Sequence, residues 1–415
     1  MEKLKESFRE FMLGKETALS HRRTAAALLI LNVVTSAAIS IYIPSLKQMA
    51  IDLDTTNALI QMTIVAHLIG EFFGRLFCGP LIDTYGSKKI IIPSLTLSVI
   101  GHFGCMIAGA LPFFICMRFI QATGASVVYV VSLSIINENF SEKEKGSAVG
   151  VLELYQPLAW IISPFVGAIL AEIGSWRLSF FVLMLIQIMG ILFFWCYPER
   201  QCKGRCKKFS VSKLFFDYKS VLKNSLFVVY ALIPGFFAGG YMIFATSCPF
   251  ICSKIFGNSS ADIALFSAVP LLFYVASTFA YRFVVRNIGT RTSRRIGTGL
   301  FVIFGICMTW MIFDSHPWTA GRLLSLMCLQ CMGSAFLVPV SVLKALQSSS
   351  HAASVGASTV VVFRNIIMSI CITVSAKFSG SITTIMACVF MTVGTVLMLM
   401  VTRKIIKIRI RRLRM

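Results

Sequence analysis

Long apolar stretches recur along the whole chain, and this feature limits most strongly what the chain can fold into. A helix needs about 20 mostly apolar residues to cross the ~30 Å hydrocarbon layer of a membrane, because its backbone polar groups must bond within the helix. Only 13% of the residues are charged and the mean hydropathy is +0.81, unlike soluble domains. We therefore predict an all-α membrane protein with about twelve transmembrane helices, at 24–46, 57–82, 90–110, 113–137, 146–171, 178–197, 224–250, 263–283, 296–313, 318–343, 352–377 and 381–402.

The basic residues fall in alternate loops, which predicts how the chain is oriented. Lys and Arg favour the inner side of a membrane during insertion, and here the loops predicted to lie outside hold almost none. Both termini are then cytoplasmic, and the formal net charge of +22 requires no nucleic acid partner. Residues 1–23 mix acids and bases before a full-length apolar stretch, so we expect no cleaved export signal. The basic tail at 403–415 either rests on anionic headgroups or is a generic positive-inside anchor.

The thirteen cysteines are mostly scattered singly through the predicted helices, where free cysteine behaves as a small buried apolar residue. This pattern argues against a disulfide scaffold. The one close pair, Cys202 and Cys206, lacks the second pair or the nearby histidines that a structural zinc site requires. His67 and His102 lie in different predicted helices and receive no assignment. We predict no metal site and no cofactor.

The second half of the chain repeats landmarks of the first half at an offset of 203 to 205 residues. The matching pairs are Pro44 with Pro249, Gly86 with Gly289, and Arg118 with Arg322. A fixed offset indicates an internal repeat, and two parallel repeats around a midplane site are typical of alternating access. The predicted organisation is a cytoplasmic segment at 1–23, six-helix bundles at 24–197 and 224–402, a basic cytoplasmic linker at 198–223, and a cytoplasmic tail at 403–415.

The loop after the second predicted helix reads GPLIDTYGSKK, from Gly79 to Lys89. This resembles the loop signature of the major facilitator superfamily, and the resemblance implies a gating role for Gly79, Asp83, Gly86 and Lys88. Gly86 permits a tight turn, and an acid at position 83 is suited to the positive end of a neighbouring helix. Thr84 and Ser87 stand where the family usually has basic residues. The alternative for the acid is a solvated loop charge.

The fourth predicted helix opens with Arg118 in the sequence RFIQATG, which resembles the fourth-span arginine motif of the same superfamily. A charge at the centre of a span costs at least ~2.5 kcal/mol, so we expect this arginine to face the interior and pair with an acid or a carbonyl. The alternative is that it extends to the outer interface, because Pro112 lies only a turn or two away.

Small residues follow one another along the fifth predicted helix and resemble the signature of antiporter members of the superfamily. They allow close helix contact, and a proline among them bends the helix. Together with the Tyr42-Ile43-Pro44 segment, the loop signature and the 209–225 segment, they make the chain similar to the bicyclomycin and chloramphenicol resistance branch of twelve-span drug and proton antiporters. The small-residue series is Gly150, Ala159, Ser163, Pro164 and Gly167, with Ala159 and Ser163 in place of the usual glycines.

Members of that branch usually carry an acid four residues before the first-span proline, and this chain has Ser40 there. A proton antiporter needs a group whose proton affinity changes between the two access states. Glu71 and Glu153 are the interior candidates, and Glu138 lies at the inner end of the fourth predicted helix. Arg75, one helical turn after Glu71, is positioned to neutralise it.

The abundance of Phe, at 35 residues, and of Met, at 19, favours a deformable apolar substrate cavity. These residues equally suit a surface that faces lipid. Four tyrosines combine an apolar ring with a polar hydroxyl and are candidate cavity residues, although tyrosine also anchors membrane interfaces. They are Tyr42, Tyr155, Tyr230 and Tyr241.

These features together predict a proton-coupled exporter of small amphipathic compounds. We expect a monomer in the bacterial cytoplasmic (inner) membrane whose partners are a small-molecule substrate, protons and lipid. The alternative within transport is a carrier of one metabolite, such as an amino acid, a nucleoside or a siderophore. A membrane sensor or an enzyme is the alternative from another class, but the sequence has no nucleophile and base pair, metal-ligand cluster or phosphate loop that supports an enzyme.

Overall fold

The computed structural model describes residues 18–139, 155–196, 211–255, 260–313, 319–348, 353–377 and 387–399. Nearly all of this part is helical, and no β-strand occurs within it. In chain order the helices are α1 (Ala18–Ala37), α2 (Leu46–Asp52), α3 (Asn57–Tyr85), α4 (Ser87–Ile107), α5 (Leu111–Ala125), α6 (Val127–Asn139), α7 (Tyr155–Ile173), α8 (Trp176–Cys196), α9 (Val211–Lys223), α10 (Ser225–Ile255), α11 (Ser260–Asn287), α12 (Thr290–Phe313), α13 (Ala320–Ser348), α14 (Ala353–Ala376) and α15 (Ala387–Leu399).

Eight helical segments in the described part are long and apolar enough to cross a membrane. Three shorter apolar helices accompany them, at Ala26–Ala37, Leu158–Ile173 and Ala387–Leu399. Every stretch predicted to span the membrane overlaps one of the helices. The predicted all-α membrane fold is therefore confirmed, while the number of spans stays a prediction.

The first membrane span is interrupted, whereas the sequence predicts one helix over 24–46. Helix α1 ends at Ala37, and the chain turns before a short 3-10 helix at Ile43–Ser45 and the start of α2. Pro44 has no backbone N–H and removes one helical hydrogen bond, which favours a kink or a break at this position. The turn is held by hydrogen bonds from the N–H of Ile41 to the carbonyl oxygen of Ala37 at 2.8 Å and from that of Ser45 to Tyr42 at 3.0 Å.

The chain divides into two compact units. Unit 1 contains Met1–Ser45, Ile51–Asp54 and Ala66–Ser210, and unit 2 contains Leu46–Ala50, Thr55–Val65 and Val211–Met415. The residue boundaries predicted for the two bundles and the linker stay predictions.

In unit 1, α4 packs against α5, α6 and α8, and α1 packs against α6, α7 and α8. The buried apolar side chains between them include Leu28, Leu95, Val128 and Phe194. Helices α4 and α5 approach closely, because a Cβ atom added to Gly101 would overlap the side chain and backbone of Gln121. This contact holds α5, which carries Arg118, firmly inside the bundle.

In unit 2, α10 packs against α11, α13 and α14, and α12 packs against α11 and α13. Seven aromatic residues lie among the buried aliphatic side chains of its core, and the ring centres of Phe237 and Phe301 lie 4.6 Å apart. Part of the predicted linker forms the helix α9, and this helix contacts both α10 and α14. On α9, Val221 is buried against this core, while Phe216 and Lys219 are exposed.

Of the landmark pairs in the two halves, Gly86 and Gly289 are the most alike in backbone conformation. Their φ angles are 88° and 103°, in the region that side chains other than glycine rarely adopt. Gly86 joins α3 to α4, and Gly289 joins α11 to α12. The proline pair is less alike, because Pro249 lies within the continuous α10 whereas Pro44 follows the break in the first span.

The surface of the helices is apolar and their interior contains polar groups. Large apolar side chains such as Ile100, Ile107 and Phe283 are more than 45% exposed, while Arg118 and His67 are completely buried. A soluble monomer rarely exposes so much apolar area, whereas a bundle surrounded by lipid requires it. The buried polar groups are therefore the candidates for the functional site.

Candidate functional site

Close contact between α3 and α5 in unit 1 determines the geometry of the candidate site. A Cβ atom added to Gly70 would fall on the carbonyl oxygen of Phe119, and one added to Gly74 would fall on that of Thr123. Two small residues spaced by four allow membrane helices to meet through their backbones. The side chains that flank these glycines on α3 are therefore brought against α5.

Three ionisable side chains on α3 lie on the same side of the helix as these glycines. His67, Glu71 and Arg75 are spaced by four residues, about one helical turn. Oε1 of Glu71 lies 3.4 Å from Nη2 of Arg75 and 3.8 Å from Nε2 of His67. The structure thus contains the Glu71–Arg75 pair that their spacing predicts. Arg75 also lies close enough to Tyr155, at the start of α7, to interact with it.

Arg118 on α5 is completely buried. Its Nη1 donates to Oε1 of Gln121 at 2.7 Å, and its Nη2 donates to the hydroxyl of Tyr42 at 3.3 Å. The guanidinium carbon lies 4.7 Å from the ring centre of Tyr42 and 5.6 Å from that of Phe180, so cation–π contacts add to these bonds. Among the described residues no carboxylate forms an ion pair with Arg118. Its hydrogen-bonded partner on α5 is an amide carbonyl.

Gln121 connects Arg118 to the ionisable residues of α3. Nδ1 of His67 lies 3.2 Å from the same Oε1 atom of Gln121 that accepts from Arg118. A polar chain, hereafter the unit 1 polar chain, therefore runs from Tyr42 through Arg118, Gln121 and His67 to Glu71 and Arg75. Polar and ionisable groups inside a membrane bundle are costly, and they are characteristic of substrate and ion pathways.

Tyr42 lies in the turn that interrupts the first span, and α7 contacts this turn directly. The hydroxyl oxygens of Ser40 and Ser163 lie 2.6 Å apart in a hydrogen bond that either can donate. A Cβ atom added to Gly167 would overlap the carbonyl oxygen of Ile41. The close helix contact expected of the small residues in this span is thus present. It holds the Tyr42 ring beside the guanidinium on α5.

The loop signature joins the end of α3 to the start of α4. Gly86 adopts a positive φ there, and Nζ of Lys88 donates to the carbonyl oxygen of Trp195 on α8 at 2.9 Å. The backbone positions of Gly79 and Asp83 lie in the last two turns of α3, while the surroundings of these residues lie outside the described part. Their gating role stays a prediction.

The remaining predicted residues lie apart from the unit 1 polar chain, or their side chains are outside the part of the chain that the structure describes. Glu153 is not among the described residues, and Glu138 lies in α6 with a side chain that is not described. Pro164 is buried within α7. In unit 2, Tyr230 is buried in the apolar core, and the hydroxyl of Tyr241 donates to the carbonyl oxygen of Ser267 at 3.1 Å.

Sequence reasoning missed the roles of Gln121 and His67. A signal for His67 was present, because it precedes Glu71 by four residues and shares its helix face with Gly70 and Gly74. No signal in the sequence indicated that Gln121 connects two helices, since this depends on how closely they pack. Within the described part, no group of three or more His, Cys, Asp or Glu residues is arranged to hold a metal ion.

A helical bundle with an apolar surface and a buried polar interior defines a polytopic membrane protein suited to moving solutes. The family model described as Major Facilitator Superfamily matches residues 28–372. The chain belongs to the major facilitator superfamily and is therefore a membrane transporter of small molecules. The predicted family is confirmed.

Several curated relatives are similar to this chain at low identity. An uncharacterized MFS-type transporter, YdgK of Bacillus subtilis, is 26% identical over 272 residues, which is 65% of this chain and 67% of the relative. A bicyclomycin resistance protein homolog of Haemophilus influenzae is 23% identical and covers 69% of this chain and 71% of its own. The multidrug resistance protein MdtL of Escherichia coli O157:H7 is 22% identical, over 68% and 70%.

Two solved transporter structures share the fold. A mutant of the nucleoside transporter NupG superposes with a TM-score of 0.67 at 13% identity, over 92% of this chain and 99% of that one. The xylose transporter XylE from E. coli, in a partially occluded inward open conformation, gives 0.68 at 13% identity, over 91% and 96%. At this identity the likeness concerns the fold alone, and it confirms the predicted fold of the superfamily.

Proposed function

We propose that this transporter exports small amphipathic compounds in exchange for protons. The observation that carries the proposal is the unit 1 polar chain, which places Glu71 and two arginines inside an apolar bundle. An ionisable group in such a place is expensive and is characteristic of proton relays in transporters. Relatives named for bicyclomycin and multidrug resistance support the choice of amphipathic substrates.

Glu71 is the carboxylate that we assign to the coupling site. It is partly buried, and one of its oxygens lies within 4 Å of both His67 and Arg75. A site built from a carboxylate between two such groups changes its proton affinity when any of the three moves, which is the property that exchange requires. Glu153 and Glu138 stay as predicted alternatives, and the same measurements on their Gln variants test them.

Alternating access through the superfamily fold completes the proposal. The two repeats would move against each other around a substrate site, and the loop residues Asp83, Gly86 and Lys88 would control that movement. The bacterial relatives and the inner-side bias of Lys and Arg support the cytoplasmic membrane with both termini inside. We propose a monomer as the working unit.

The test is proton release from the purified protein in weakly buffered detergent when compounds are added. The panel consists of ethidium as an amphipathic cation, chloramphenicol as a neutral drug, and leucine and uridine as metabolites. Ethidium or chloramphenicol should release protons, and Glu71→Gln should abolish the release. The exposed Glu172 on α7 provides the control variant Glu172→Gln, which should behave as wild type. Absence of release with every compound would contradict proton coupling.

The alternative is a carrier of a single metabolite within the same family. The unit 1 polar chain does not distinguish this alternative from multidrug export, because its side chains bond to one another rather than to a substrate. Proton release with leucine or uridine but with neither drug would favour this alternative over multidrug export.

A further inference from the structure

His67 lies between two hydrogen-bonding partners in the middle of the unit 1 polar chain. The side chain is completely buried on α3. Nδ1 lies 3.2 Å from Oε1 of Gln121, and Nε2 lies 3.8 Å from Oε1 of Glu71. Each ring nitrogen therefore faces an oxygen atom that can accept a hydrogen bond but cannot donate one while Glu71 is ionised.

Arg118 determines which oxygen faces the ring. A guanidinium can only donate, and Nη1 of Arg118 donates to Gln121 at 2.7 Å. The amide of Gln121 must therefore present its oxygen, not its nitrogen, at this point. The same oxygen faces Nδ1 of His67, so that nitrogen must carry a hydrogen. In the neutral ring, Nε2 is then left with a lone pair.

The lone pair of Nε2 points toward Oε1 of Glu71, so two acceptors face each other without a hydrogen between them. A second proton on the ring removes this mismatch, because the imidazolium then donates to Gln121 and forms an ion pair with Glu71. Glu71 already pairs with Arg75 at 3.4 Å through the same oxygen. Protonation of His67 therefore makes two cations share one carboxylate oxygen.

We propose that His67 binds the coupling proton, with Glu71 as its counter-ion. The inference rests on the proposed proton coupling and names the atom that carries the proton. The proton enters from water on one side of the membrane and binds Nε2. When access changes, it leaves from Nε2 to water on the other side, and the neutral ring with hydrogen on Nδ1 returns. Each cycle moves one proton, and no other bond forms or breaks.

Other charged and titratable groups around the ring determine how readily it binds this proton. Complete burial of the ring opposes a charge on His67 most strongly, and the positive charge of Arg118 adds to this. The negative charge of Glu71 and its contact with the ring favour the charged form. A movement that separates Gln121 from His67 weakens the effect of Arg118 and frees Nδ1 from its partner. The proton affinity of His67 therefore depends on how α3 and α5 are placed. Glu71 on α3 and Gln121 on α5 contact the ring, and Arg118 on α5 acts on it through its charge. Arg75 reaches the ring only through Glu71, and Tyr42 only through Arg118. His102 on α4 lies within electrostatic range but bonds the backbone of its own helix.

His102 provides a matched comparison because it is equally buried and lies in the same unit. Its Nδ1 lies 2.9 Å from the carbonyl oxygen of Ser98, one turn earlier in its own helix. Within the described part no carboxylate lies within ion-pair distance of His102. Its contacts therefore fit a neutral structural histidine, and His102→Gln is the control for His67→Gln.

The experiment measures proton release on adding ethidium or chloramphenicol to wild type, His67→Gln and His102→Gln. We expect release from wild type and His102→Gln, and none above the protein-free background from His67→Gln. The binding of the same compound should lose its pH dependence in His67→Gln alone. If His67→Gln still releases protons, His67 is not the binding atom, while the proposed coupling stands. If wild type releases none, the coupling and this inference both fail.

A second measurement follows the wild-type protein itself and uses a variant only to assign one signal. Ring-labelled histidine in the intact protein gives one NMR signal for each histidine, and His67→Asn identifies the signal of residue 67. We expect that signal to change between the neutral and the charged form when the compound is added, at a pH where the other histidine signals stay constant. A His67 signal that keeps its protonation state with and without compound would overturn the inference.

Discussion

Gly167 on α7 lies directly against the carbonyl oxygen of Ile41, in the turn that interrupts the first membrane span. No side chain fits between them, so backbone meets backbone at this point. The bond between Ser40 and Ser163 lies beside this contact. Together the two contacts hold the turn that places Tyr42 against Arg118. The first span contains no acidic residue that could pair with this arginine instead.

Replacing Gly167 with Val should therefore damage the protein. Adding atoms to a packed interior costs about 1 to 3 kcal/mol, and here the added atoms overlap a carbonyl oxygen. We expect a lower melting temperature in detergent and reduced transport. The control is Gly299→Val on α12, where a Cβ atom meets nothing within 4 Å. Equal melting temperatures for the two variants would show that the Gly167 contact is unimportant.

Gly86 and Gly289 should each be sensitive to replacement by Ala. A residue other than glycine at their φ angles of 88° and 103° costs about 1 to 2 kcal/mol in backbone strain. Gly109, in the loop between α4 and α5, has open space around it and is the control. Thermal unfolding of the three Ala variants should rank Gly109→Ala as the most stable. A Gly86→Ala protein as stable as wild type would contradict the strain argument.

Arg118→Lys should impair transport although the charge is kept. An ammonium group is a point charge and cannot bond Gln121 and Tyr42 in the geometry of the guanidinium. We expect a loss on the order of tenfold in transport rate, equivalent to about 1.4 kcal/mol. Arg322→Lys, at the matching position of the second half, should have a smaller effect because Arg322 is only partly buried. Wild-type transport by Arg118→Lys would contradict a functional role for the guanidinium bonds to Gln121 and Tyr42.

Asp83→Asn should slow the change between the two access states while folding and substrate binding persist. The substitution removes only the charge that would face a neighbouring helix end. Stopped-flow measurement of substrate exchange in proteoliposomes tests this, with equilibrium binding measured alongside. Full transport rates in Asp83→Asn would rule out a gating role for this residue.

The sequence predicted the fold well because hydrophobic length is a local property. The second predicted span, 57–82, and the helix Asn57–Tyr85 agree at one end and differ by three residues at the other. The break in the first span was missed, since it depends on contacts with α7 that lie far away in the chain. Pro44 was the one local sign of it.

The candidate site was predicted only in part, for the same physical reason. The Glu71–Arg75 pair follows from helical spacing and is present. The connection from Arg118 to His67 requires α3 and α5 to touch at Gly70 and Gly74, and no local pattern specifies which helices become neighbours. The sequence thus identified Arg118 and the Glu71–Arg75 pair, but not the connection between them through Gln121 and His67.

Accumulation driven by a pH gradient in proteoliposomes tests proton-coupled export most directly. Purified wild type and Glu71→Gln are reconstituted, and uptake of ethidium is followed with an imposed gradient, without one, and after a protonophore is added. We predict that wild type accumulates ethidium only while the gradient lasts, and that Glu71→Gln exchanges it without accumulating it. Glu153→Gln in parallel tests the alternative carboxylate. Wild-type uptake that reaches equilibrium but is unaffected by the gradient would contradict proton-coupled export.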